Sequence, residues 1–133
     1  MRVADLMHTD LRTLQTNSTV ADAVVALADG HVSALPVIDQ RGTVIGVVSS
    51  TDIIEAEAEA TDRASRTAVL EDTRVEDIMT PRPVTVTPET GVREAARQML
   101  YADVKRLFVE QDDKLVGVIS QSDIVGAVAS GKI

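Results

Sequence analysis

The chain has 133 residues, a net charge of −8 and 44% hydrophobic residues, with no Cys, no Trp, one Tyr and one Phe. That length supports one sizeable core, which must be aliphatic, while disulfides, thiol catalysis, thiolate metal sites and ligand capture by aromatic stacking are excluded. The acidic balance argues against nucleic acid as a partner, no run approaches the roughly 20 apolar residues of a membrane span, and Asp5 interrupts the opening too early for a secretory signal, so a cytoplasmic protein is expected.

Elements recur in chain order because the sequence repeats itself. Val3-Ala4-Asp5-Leu6-Met7 returns as Val75-Glu76-Asp77-Ile78-Met79, at an offset of 72 residues that falls to 71 from Thr43 on. After this opening an extended stretch is expected at Leu11 to Leu14, and again at Pro83 to Val86. A helix follows in each copy. Thr19 with Asp22 reads as its N-cap, ahead of Val20, Ala23, Val24 and Leu27 at i, i+3, i+4, i+7. In the second copy Gly91 takes the cap position, Glu94 answers it, and Val92, Ala95, Ala96 and Met99 repeat the stripe. Gly30 is the expected stop of the first helix, with Ala102-Asp103 a weaker stop in the second.

Paired β-branched runs come next, Ala34 to Ile38 with Val44 to Val48 and Leu107 to Val109 with Leu115 to Ile119. The polar turns between them mark each pair as a hairpin. A second helix is expected from Ser49/Ser50 and from Ser120/Gln121. The fold class is therefore α/β (α+β), two β-α-β-β-α repeats packed about a pseudo-two-fold axis. Residues 1–60 form the first repeat, 61–74 a helical or flexible linker, and 75–133 the second repeat. Within Glu55 to Ala60 the strong helix formers Ala and Glu favour helix over a strand.

Each repeat ends in Gly-h-h-Ser-x-x-Asp-h, where h is aliphatic: Gly46 to Ile53 and Gly117 to Ile124. A strand running straight into a helix start exposes unpaired N–H groups that favour an anion or an electron-rich oxygen. An Asp in the first turn is placed to accept from the vicinal hydroxyls of a ribose. Gly46 and Gly117 permit close approach of a ring or a backbone. The same Ser-x-x-Asp spacing is also an ordinary capping box, and the two roles are compatible.

The order, spacing and duplication of these motifs, together with Ser33-Ala34-Leu35-Pro36-Val37 and Met79-Thr80-Pro81-Arg82-Pro83-Val84-Thr85-Val86, resemble a tandem pair of cystathionine β-synthase (CBS) domains, the Bateman module. The likeness spans Arg2 to Val128 apart from the linker; the first opening, with His8-Thr9-Asp10, matches less well. It implies a regulatory module, not an enzyme, that needs no cofactor and binds AMP, ADP, ATP or S-adenosylmethionine in clefts between its halves. By the family's pattern Asp52 and Asp123 hold the ribose hydroxyls, Ser49 and Ser120 lie near ribose or phosphate, and Thr51 and Ser122 add contacts.

Lys105 and Arg106 match the family's phosphate-facing basic position, where the first half offers only His31. Lys105 and Arg106 also read as solvated strand-end charges, and His31 as a surface or helix-terminal residue. Thr13, Thr85, Val32 and Val104 are candidates for the adenine wall. The resemblance further implies a homodimer and a regulated protein partner. A CBS scaffold or interaction module without a ligand is the alternative. His8 and His31 lack a partner at ligand spacing, so no metal is expected. No nucleophile–base signature and no glycine-rich phosphate loop is present.

Overall fold

The computed structural model describes residues 1–133. Two small sheets and five α-helices form two compact units whose limits are not those of the sequence repeats. One unit is Arg12–Arg82; the other joins Met1–Leu11 to Pro83–Ile133. The opening motif of each copy thus belongs to the unit that carries the other copy's hairpin.

In the Arg12–Arg82 unit, β1 (Leu14–Gln15) leads to α1 (Val20–Gly30), the hairpin β2 (Ala34–Ile38) and β3 (Val44–Ser49), α2 (Ser50–Ala58), α3 (Arg63–Asp72) and β4 (Thr80–Pro81). The strand order is β1-β2-β3-β4, with β1 parallel to β2 and the other pairs antiparallel. Thr19 caps α1 as its spacing predicts: Asp22 N–H donates to Thr19 Oγ1 at 3.1 Å and Thr19 N–H to Asp22 Oδ2 at 2.9 Å. Its expected stop is displaced by one residue. Gly30 is still helical, and His31 takes the left-handed conformation at φ 51°. Val32 N–H then reaches back to the Leu27 carbonyl at 3.3 Å, closing the helix in the manner usually given to glycine. Glu55 to Ala58 is helical, and the segment after it is ordered as α3, capped by Asp62. The short strand β4 carries no alternating apolar pattern and was not expected.

In the other unit, β5 (Thr85–Val86), α4 (Val92–Ala102), β6 (Arg106–Gln111), β7 (Lys114–Ser120) and α5 (Gln121–Ala129) repeat the plan. The Gly91 cap makes no side-chain bond, and Glu94 turns outward to Arg97 Nη1 at 3.0 Å instead of answering it. Asp103 closes α4 at φ 55°. The hairpins explain the change of offset. The first turns through Gly42 at φ 85°, whereas the second turns on Asp112 and Asp113 at φ 53° and 62°, the tight two-residue geometry.

Both cores are aliphatic. One is built on Leu14, Leu27, Leu35, Val37, Val48 and Val75, the other on Val3, Met99, Leu107, Val109 and Ile119. Val3 and Val75 head the two opening segments and are fully buried, worth about 1.5–3 kcal/mol each. Each is pinned by matching backbone bonds: Val3 N–H to Thr90 O at 2.8 Å with Val92 N–H to Met1 O at 3.0 Å, and Val75 N–H to Ser18 O at 2.8 Å with Val20 N–H to Thr73 O at 2.9 Å.

The two strand glycines serve this docking. A Cβ on Gly46 would collide with the side chain of Met79, and one on Gly117 would lie 2.7 Å from Met7 Sδ and 3.1 Å from the His8 carbonyl. The notch read from sequence as room for a ring or a backbone is filled by a thioether, and at Gly117 a backbone carbonyl also comes close. Past each methionine the chain pairs with the hairpin: Thr80 opposite Val47 in β4, and His8 opposite Val118 through reciprocal bonds of 2.9 and 3.0 Å.

Gly117→Ala is expected to destabilise the protein by about 1–3 kcal/mol, as overpacking does. Gly46→Ala should cost less, because only flexible methionine atoms must withdraw. Urea denaturation of the two variants checks this ranking, and equal midpoints would remove the backbone carbonyl from the account.

Candidate nucleotide site

The two Ser-x-x-Asp motifs form the same construction. Ser49 and Ser120 leave their strands with extended backbone and become the N-caps of α2 and α5. Asp52 N–H donates to Ser49 Oγ at 3.2 Å, while Ser49 N–H and Oγ–H both donate to Asp52 Oδ2, at 2.8 and 3.0 Å. Around Asp123 the corresponding distances are 3.2, 2.8 and 2.9 Å. The capping box is therefore complete in both copies, and it fixes each carboxylate beside a helix N-terminus where negative charge is favoured.

Some of the strand-entry segments singled out in the sequence lie beside these two helix starts. Ser50 N–H donates to the Ser33 carbonyl at 2.8 Å, and Gln121 N–H to the Lys105 carbonyl at 2.9 Å. The segments Val32–Ser33 and Val104–Lys105 therefore run beside α2 and α5. Ala34 pairs across the hairpin with Ser49, and Arg106 with Ser120, so one helix start has a cation at its strand neighbour where the other has a methyl group. Thr85 pairs with Phe108, and Thr13 precedes Leu14, which pairs with Val37; both threonines are half-buried. Val32 is exposed, whereas Val104 packs on the core. Thr51, Ser122 and Lys105 are exposed. His31 is the exposed cap at the end of α1.

Sequence reasoning missed His8 as a neighbour of this chemistry. Its Nε2 donates to Asp123 Oδ1 at 2.7 Å, across 115 residues of chain. A carboxylate only accepts, so that ring nitrogen carries the hydrogen. Burial raises the Asp123 pKa, but the His8 hydrogen bond, the Ser120 backbone and hydroxyl bonds and the His8 charge together outweigh it, leaving the group below the ordinary 3.8.

The CBS-domain family pattern matches residues 3–59 and 75–130. The chain belongs to the CBS-domain family, as a tandem pair. It is 29% identical over 148 residues to the chloroplastic CBS domain-containing protein CBSX2 of Arabidopsis thaliana, covering 94% of this chain and 62% of that one. It is also 28% identical over 124 residues to the uncharacterized protein YlbB of Bacillus subtilis, covering 92% and 79%. It thus spans less than two thirds of the Arabidopsis relative.

Homoserine O-acetyltransferase of Methanohalobium evestigatum is matched over only 23% of its length, at 25% identity, which does not extend acetyl transfer to this chain. Among solved structures, CBSX2 in complex with AMP superposes with a TM-score of 0.82 at 33% identity, covering 99% of this chain and 98% of that one. The CBS pair of MJ0100, solved with 5-methylthioadenosine and S-adenosyl-L-methionine, shares the fold at TM-score 0.79 and 23% identity, covering 96% and 99%. No helix is long and apolar enough to cross a membrane.

Because the folded Asp123 releases its proton more readily than the unfolded one, it adds stability above pH 3.8, and that stability is lost as pH falls through the lower folded value. Asp123→Asn should therefore flatten the acid limb of the stability curve. Urea midpoints between about pH 5 and 2 measure this, and parallel limbs for the two proteins would refute it.

Proposed function

We propose that this CBS pair is a regulatory module that binds an adenosine ligand of the AMP, ADP, ATP or S-adenosylmethionine type and reports its level to a partner protein. The observation that carries this reading is the pair of Asp carboxylates, each held by its own Ser at the start of a helix. A Ser-held carboxylate is pre-positioned to accept from the two hydroxyls of a ribose, and N–H groups at the same helix start suit phosphate or another electron-rich group. The 33% identical CBSX2, solved with AMP, supports an adenosine ligand.

Ser49, Thr51 and Asp52 with His31, Thr13 and Val32 are assigned to one site. Ser120, Ser122 and Asp123 with Lys105, Arg106, Thr85 and Val104 are assigned to the other. The regulatory step is differential binding: the ligand favours one arrangement of the chain, and the partner reads that arrangement.

We assign the exposed apolar helix residues to self-association as a homodimer. Val25 and Ile54 lie on α1 and α2, Leu100 and Tyr101 on α4, Val125 and Val128 on α5, and Tyr101 is 96% exposed. A chain without cysteine has no disulfide to keep oxidised, which is compatible with the cytoplasmic setting we assign to it. A ligand-free scaffold is the competing reading, favoured by capping boxes in which each Ser–Asp pair satisfies its own helix start.

Titration by calorimetry and thermal shift with AMP, ADP, ATP and S-adenosylmethionine separates the two. At 100 times its dissociation constant a true ligand stabilises by about 2.7 kcal/mol. Asp52→Ala and Asp123→Ala should each weaken binding at their own site by about ten-fold or more, the loss of a charge-assisted hydrogen bond. No response to any of the four at millimolar concentration would leave the scaffold. Ile54→Lys combined with Val125→Lys should shift sedimentation toward the monomer without loss of helix content; an unchanged dimer would move self-association to another face.

A further inference from the structure

Asp52 and Asp123 close the same motif and cap the same kind of helix, yet their second oxygens differ. In both, Oδ2 is engaged by the serine N–H and hydroxyl. That leaves Oδ1 as the acceptor available to a guest. At Asp123, one of the two lone pairs of Oδ1 is already taken by His8 Nε2 at 2.7 Å. At Asp52 no side chain does this, because the residue that follows Met79 into β4 is Thr80, where His8 follows Met7. The backbone of His8 is clamped to Val118 in both directions, so the ring can leave only by rotating about its own side-chain bonds. It has room to do so: the His8 side chain is 65% exposed, against 17% for Asp123.

We propose that His8 is a specificity-determining residue that makes the two sites unequal, by occupying one lone pair of the carboxylate oxygen that a ribose diol requires at Asp123, so that an adenosine ligand binds there more weakly than it would without the ring. This rests on the ribose reading of both aspartates given above. A ribose diol brings two donors, and with Oδ2 filled and the imidazole in place Oδ1 has one lone pair left. A ligand that donates both hydroxyls to Asp123 must therefore displace the ring, and an ion pair with one partner this exposed is worth about two- to five-fold in an equilibrium. Arg106 opposite Ser120 acts on a different part of the ligand. It draws phosphate, whereas His8 withholds one acceptor position from the sugar, so the two effects separate by substitution.

The test is AMP calorimetry on His8→Thr, which installs the residue of the other copy and so preserves the fold, in two backgrounds. With Asp52→Ala silencing one site, His8→Thr should tighten AMP by about two- to five-fold; with Asp123→Ala silencing the other, it should leave AMP affinity unchanged. Unchanged or weaker binding in the first background overturns the proposal while the ribose reading stands. If neither Asp→Ala variant alters AMP binding, the ribose reading falls and this inference with it. A ligand-free readout runs beside these: the chain has 2 His, so the ring-nitrogen NMR resonances are readily assigned. Asp123→Asn should move the His8 Nε2 signal and Asp52→Asn should not; an unmoved signal in Asp123→Asn overturns the proposal.

Discussion

The structure depends on a thioether seated over a glycine. Met79 covers Gly46 and Met7 covers Gly117, and this contact brings the valine-led turn, the apolar residues after it and the strand pairing beyond it into one unit. Neither core is complete with its own hairpin and helices alone. Val75 belongs among Leu14, Leu35 and Val48, and Val3 among Leu107, Val109 and Ile119. With no tryptophan and a single phenylalanine in the chain, these aliphatic insertions supply the apolar area that aromatic residues provide elsewhere.

The same economy governs the site. One Ser-x-x-Asp spacing closes a helix and also aims a carboxylate, so the chemistry requires no residue that folding does not also require. Duplication delivers two such carboxylates, and the differences between the copies then fall on the neighbours: Arg106 against Ala34 across the hairpin, His8 against Thr80 on the docking segment. An ancestral pair of identical sites can diverge in this way without disturbing either helix cap.

What the sequence reveals follows the range of the interaction. The hairpins and helices are legible because β-branched runs, the Thr19–Asp22 box and the Ser-x-x-Asp boxes act within a few residues. The stop at His31 rather than Gly30 turns on a left-handed conformation that a non-glycine residue seldom adopts. The displaced Glu94 turns on a competing bond to Arg97. Gly46 and Gly117 are visible as places lacking a side chain, but their occupants are methionines 33 and 110 residues away in the chain. The one clue lay in the repeat itself, which carries a Gly and a Met at matched positions in both copies. His8, read alone, offered only a metal-ligand question; its partner lies 115 residues on.

The distribution of segments between units also orders their birth on the ribosome. Arg12–Arg82 is contiguous, so it can close as soon as its own residues have emerged from the exit tunnel. Met1–Leu11, synthesised ahead of Arg12–Arg82, has no seat until β7 has emerged. Val3, Leu6 and Met7 therefore remain uncovered on the nascent chain while Arg12–Val118 is being made, and they offer a cotranslational chaperone an apolar segment to hold.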